Sequence, residues 1–182
     1  MSRKERYALL AALMKRLHDT GSWCGETHLQ KAVFFVQELL QVPFGYNFRL
    51  YKHGPYSFDL RDELASMHAD DALRLRAQAY PYGPTLEPTE RGERLMDAFA
   101  GLVQRHGRDL DFIAARFGSK DVKLLERIAT GFLVSLQMPE STQNERAERL
   151  HELKPHITMP LALDAIRDVD RLIEASEEVK AA

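Results

Sequence analysis

Apolar side chains recur at helical spacing from the start of the chain. Tyr7, Leu10, Met14 and Leu17 share one face, which predicts a helix over residues 3–19 closed by Gly21. A short connection at 22–25 leads into a second helix over 27–41, ended by Pro43. The pattern then changes period. Tyr46, Phe48 and Leu50 face one side, Asn47 and Arg49 the other, so 46–51 reads as a strand. Gly54-Pro55 reads as a turn, and Ser57 caps a third helix to Ala69. Leu73, Leu75 and Ala77 alternate with Arg74, Arg76 and Gln78, and Thr85-Leu86-Glu87 returns after a Pro- and Gly-containing loop. The two runs predict a β-hairpin. Thr89 caps a fourth helix to His106, with Leu95, Phe99 and Leu102 on one face.

The remaining third reads as helical throughout. Ser119 is expected to start a helix carrying Leu125, Ile128, Phe132 and Leu136. Thr142 and Glu145 form a capping-box pattern for the next helix, which Lys154-Pro155-His156 breaks. Thr158 with Pro160 opens a last helix, and residues 177–182 are expected to fray. The element order predicts a mainly α fold with a small β wing. A winged-helix-like portion (1–106) carries a helical extension (107–182) packed on it as one compact unit. The segment Leu86-Glu87-Pro88-Thr89-Glu90-Arg91-Gly92 resembles the wing-to-helix junction of winged-helix regulators.

Composition narrows the class. The 182 residues are 45% hydrophobic and 29% charged, ordinary for a globular protein. A formal charge of -2 argues against a generally basic nucleic-acid coat. Cys24 is the one cysteine, so no internal disulfide forms, which fits a reducing cytoplasm. No apolar run approaches the ~18 residues of a membrane span, and the N-terminus lacks a signal pattern. A cytoplasmic protein without a membrane partner is expected.

Two motifs carry a family likeness. Leu29-Gln30-Lys31 on a helix, then Tyr46, Phe48 and Tyr51, then Gly54-Pro55-Tyr56-Ser57 and Leu60, resemble the YwgA-like proteins. That family is related to the Panacea domain of SocA-type antitoxins. The likeness spans about residues 25–100, with an echo at Leu153-Lys154-Pro155-His156-Ile157. It implies a non-catalytic, partner-binding module of the kind found in toxin–antitoxin or defence settings. Phe34-Phe35 and His28 depart from the family pattern and leave the partner open.

Three surfaces follow from the pattern. On the third helix, Asp59, Asp62, Glu63, Ser66 and Asp70 fall beside the apolar face of Leu60, Leu64 and Met67. An acidic stripe repels phosphates, so this helix is a poor major-groove reader. It is either a solvated face or a dock for a basic partner. On the hairpin, Arg74 and Arg76 share a face, with Arg49 and Lys52 extending the patch and Tyr80 and Tyr82 available for stacking. This basic wing is the DNA-binding alternative, against ordinary strand alternation. On the second helix, Thr27, Gln30, Lys31, Gln37, Glu38 and Gln41 form a polar arc, with Phe34 in its middle. Phe34 either packs inside or serves a partner.

Enzyme signatures are poor. His151-Glu152 with His156 misses the i, i+4 spacing of a zinc-protease helix, and Pro155 intervenes. Cys24 has no Cys-x-x-Cys mate, and no P-loop, dinucleotide fingerprint or Gly-x-Ser-x-Gly elbow occurs. No catalytic residue, metal or cofactor is expected. The expectation is a non-enzymatic recognition module binding a protein through Gln30, Lys31, Phe34, Asp59, Asp62 and Glu63. The alternative is a DNA-binding regulator using Arg49, Lys52, Arg74, Arg76 and Tyr82. Pairing of two copies through terminal helices is compatible with either, and nothing in the sequence requires it.

Overall fold

The computed structural model describes residues 1–79 and 83–180. Among the described residues the fold is mainly helical, with two small antiparallel two-stranded sheets. In chain order the elements are α1 (Arg3–Asp19), α2 (Glu26–Glu38), β1 (Arg49–Tyr51), β2 (Gly54–Tyr56), α3 (Phe58–Ala69), β3 (Leu73–Arg76), β4 (Thr85–Pro88), α4 (Glu90–Ala98), α5 (Ala100–Arg105), α6 (Gly107–Phe117), α7 (Val122–Gln137), α8 (Gln143–Leu153) and α9 (Met159–Lys180). Among the described residues, no helix is long and apolar enough to cross a membrane.

The axis of the core is α1. A capping box between Ser2 and Glu5 starts it, and every residue from Tyr7 to Met14 is buried. A helix covered on all sides needs neighbours all round. Helices α4, α5 and α6, with strand β4, supply them. This explains why the expected single helix from Thr89 to His106 is two helices instead, with α6 following at once. Phe99 and His106 leave helical backbone, and each break bends the chain back onto α1. Helix α2 packs on α6 and α7, and α7 carries α8 and α9. The main apolar cluster includes residues of α1, α2, α3, α6, α7 and α9, while a smaller one lies between α7, α8 and α9.

Several element limits differ from expectation, each for a local reason. Helix α2 stops at Glu38, because Gln41 turns in the left-handed region before Pro43. Gly54-Pro55 is not the turn. It lies in β2, paired with Leu50 and Tyr51, and the turn is Lys52-His53. Helix α7 starts at Val122, not Ser119, because the Asp121 carboxylate accepts from the Leu124 amide at 2.8 Å. Residues 177–180 remain helical: Ser176 is buried and Lys180 pairs with Glu177. The caps at Ser57, Thr89 and Thr142 stand where the pattern put them. The expected strand at 46–51 is short, yet its alternation holds. Tyr46 is buried and Phe48 and Leu50 are half-buried, while Asn47, Arg49 and Tyr51 face out.

Candidate functional site

Gln30 and Lys31 are not on the surface. Both are buried, at 0% and 1% exposure, and both reach into the β1–β2 hairpin. The Gln30 amide accepts from the Ser57 backbone N–H and donates to the Ser57 carbonyl, each at 2.9 Å. Lys31 Nζ donates to the Pro55 carbonyl at 2.7 Å. Burial pushes the Lys31 ammonium down to about 8, with the Glu126 carboxylate acting in the opposite direction. The two sequence motifs are therefore one structural unit: Gln30-Lys31 holds Pro55 and Ser57 in place. Gly54 completes the fit. Its φ is +85°, and a Cβ there would stand 2.9 Å from the Thr130 hydroxyl.

A second clamp comes from the far end of the chain. Lys154 Nζ donates to the Tyr51 carbonyl at 2.9 Å and to the Lys52 carbonyl at 2.7 Å. It also lies 3.2 Å from Glu126 Oε1, both side chains being buried. That contact is an ion pair by distance, since Oε1 has no hydrogen-bond partner among the described residues. His53 and His156 stand on either side of the same carboxylate, at 3.7 and 3.6 Å.

Phe34 is 1% exposed. Its ring lies 5.6 Å from Phe35, 5.1 Å from Phe48 and 5.6 Å from Phe132. It joins α2 to α7 and to the approach to β1. Gln30, Lys31 and Phe34 thus cannot touch a partner, and the expectation that they form a docking surface is corrected. The apolar weight of the ring cluster outweighs the polar arc around it.

The acidic stripe on α3 is also corrected in part. Glu63 is buried and takes a bidentate pair from Arg6, at 2.7 and 2.9 Å, and a bond from the Tyr46 hydroxyl. Burial, then the Glu63 carboxylate, raise the Tyr46 hydroxyl well above its usual range. Asp70 accepts from Tyr7 at 3.1 Å. Asp59 and Asp62 remain exposed, Asp59 against Asn47 and Asp62 against Arg61.

What the clamped hairpin presents outward is aromatic. Tyr51 is 55% exposed, Phe58 is 42% exposed and Tyr56 is half-buried. Their ring centroids are 5.1–5.5 Å apart, and the Arg61 guanidinium lies 5.1 Å from the Phe58 ring. The Tyr56 hydroxyl donates to Glu26 at 2.7 Å. Sequence reasoning missed this cluster. The available signal was Tyr51, which falls in the outward register of Asn47 and Arg49, and Phe58, which opens α3 beside Asp59.

The wing arginines are exposed, but each is engaged. Arg74 and Arg76 both donate to Glu87, at 2.9 and 2.7 Å. Burial opposes the ionised form of Glu87, yet the two guanidiniums prevail and hold it below the usual carboxylate range. Arg49 and Lys52 belong to the other hairpin, so the expected extension of the patch has no shared sheet. Tyr80 and Tyr82 lie outside the described residues. Cys24 is buried, and burial pushes its thiol up to about 12, against any nucleophilic use. His28 is pushed down to about 4 by burial, with Nδ1 3.1 Å from the Ser22 hydroxyl.

Compared with known families and curated proteins, the chain matches no family model and none of those proteins.

Proposed function

We propose that this chain is a non-enzymatic recognition module that binds a protein partner through Tyr51, Tyr56 and Phe58. Arg61, Asp59 and Asp62 form the polar rim of that face. The observation that carries this reading is the exposed ring cluster on a backbone pinned from below by Gln30, Lys31 and Lys154. Tyrosine and arginine dominate binding hot spots, and a rigid backbone spares ordering entropy on association. The likeness to the YwgA-like and Panacea-domain antitoxins points to the same kind of work, in a cytoplasmic, antitoxin-like setting. DNA binding through the wing draws less support, because Glu87 offsets one of the two arginine charges there.

The test is a photo-crosslinking residue placed at Phe58 and, as a control, at exposed Arg94 on α4, in cells producing the protein. A discrete protein adduct at Phe58 alone, abolished by Tyr51→Ala, supports the assignment. The same adducts from both positions, or none from Phe58, overturn it. A labelled duplex that binds with a steep salt dependence, and is lost in Arg74→Glu/Arg76→Glu, replaces it with the DNA reading.

A further inference from the structure

Behind the hairpin turn lies a cleft that the aromatic face does not use. Lys52 and His53 form one wall and the first turns of α7 another, and the third is the α8–α9 junction with Leu161. Its volume is about 720 Å³, within the range of roughly 300–1,000 Å³ typical of small-molecule sites. Its apolar lining is Val122, Ile157 and Leu161, the last 39% exposed. Its cationic lining is Lys52, Lys123 and Arg127.

Charge decides the occupant. Glu126 is the acid lining the cleft, and Lys154 already neutralises it at 3.2 Å. Among the described residues, no carboxylate lies within ion-pair distance of Lys52, Lys123 or Arg127. Three uncompensated cations therefore share the cleft with apolar side chains. His53 and His156 line the same cleft, 3.7 and 3.6 Å from Glu126. The walls are fixed in advance, because Lys154 ties the Tyr51 and Lys52 carbonyls to the α8–α9 junction. Pre-set cations in a concave, partly apolar site focus potential on an anion.

We propose that this cleft binds a small aliphatic anion, a carboxylate or phosphate monoester. Its head sits among Lys52, Lys123 and Arg127, and its chain lies on Val122, Ile157 and Leu161. This site is separate from the partner face, and its failure leaves the crosslinking test untouched.

Isothermal titration of the full chain with octanoate, octyl phosphate and inorganic phosphate tests it. Saturable heat from at least one octyl anion is expected. Lys52→Glu/Lys123→Glu should weaken it roughly tenfold or more, a change of the size that removing paired charges produces. Leu161→Asn should weaken it as well. All three side chains are exposed, so folding should persist, and circular dichroism verifies it. In the unaltered protein, the His53 and His156 ring protons should shift on titration while those of His68 and His106 stay. Three results each overturn the proposal: no saturable binding, equal binding of inorganic phosphate, or affinity unchanged by charge reversal. Octanoate and octyl phosphate binding unequally identifies which head group the cations prefer, and supports it.

Discussion

Replacing Lys31 by Met isolates the energetic role of a buried ammonium. Lys31 is 1% exposed, and burial moves its ionisation from an ordinary 10.5 to about 8. Near pH 7 the amine is charged in both the folded and unfolded chain. The fold then carries a desolvation penalty on the order of 3 kcal/mol. As pH rises, the folded chain loses this proton first, while the unfolded chain keeps it until about 10.5. The unfolded state binds more protons in that window, so the Lys31 contribution to stability rises with pH. Lys31→Met removes the penalty but leaves the Pro55 carbonyl without its donor, a loss of about 1–3 kcal/mol. The two effects nearly cancel around neutrality. By about pH 10 the unaltered protein should regain ~2–3 kcal/mol that the variant cannot. Urea melts of both chains at several values between about pH 7 and 10 measure this. Cys24 titrates in the opposite sense but does so in both chains, so it drops out of the difference. A difference that stays flat to within ~0.5 kcal/mol would refute the argument.

Other substitutions test the packing directly. Phe34→Ala empties a site among Phe35, Phe48 and Phe132 and should cost about 3–5 kcal/mol, lowering Tm by roughly 6–20 °C in calorimetry. An unchanged Tm would return Phe34 to the surface. Gly54→Ala combines a positive φ with a contact on Thr130 and should cost about 2–4 kcal/mol in denaturant titration. Gly45→Ala, with a positive φ but open space, should cost only ~1–2 kcal/mol. Arg6→Ala leaves buried Glu63 without its bidentate partner and should cost ~3 kcal/mol, whereas exposed Asp62→Asn should stay within ~0.5 kcal/mol.

Caps and periods were legible because they are local. Ser57, Thr89 and Thr142 start helices through bonds spanning three residues, so their neighbours announce them. The bend at Phe99 was not legible, since its cause is the surface of α1 some eighty residues earlier. Polarity misled at Gln30, Lys31 and Glu63. A helical arc shows which side chains are polar, not whether a distant backbone group or Arg6 waits to satisfy them inside. Asp59 and Asp62 followed the simpler rule and stayed outside. Tyr51 and Phe58 became a surface cluster only when the turn proved to be Lys52-His53, which brings β2 and the start of α3 beside β1.

The Lys154 clamp spans 102 and 103 residues of chain to reach the Lys52 and Tyr51 carbonyls. Synthesis runs from the N-terminus, and early segments fold while later ones are still being made. A nascent chain emerging from the ribosome thus displays Tyr51, Tyr56 and Phe58 well before residue 154 exists to lock the turn beneath them. The turn beneath the aromatic face is locked only once the α8–α9 junction has been translated and docked, so a half-made copy presents the side chains without that lock.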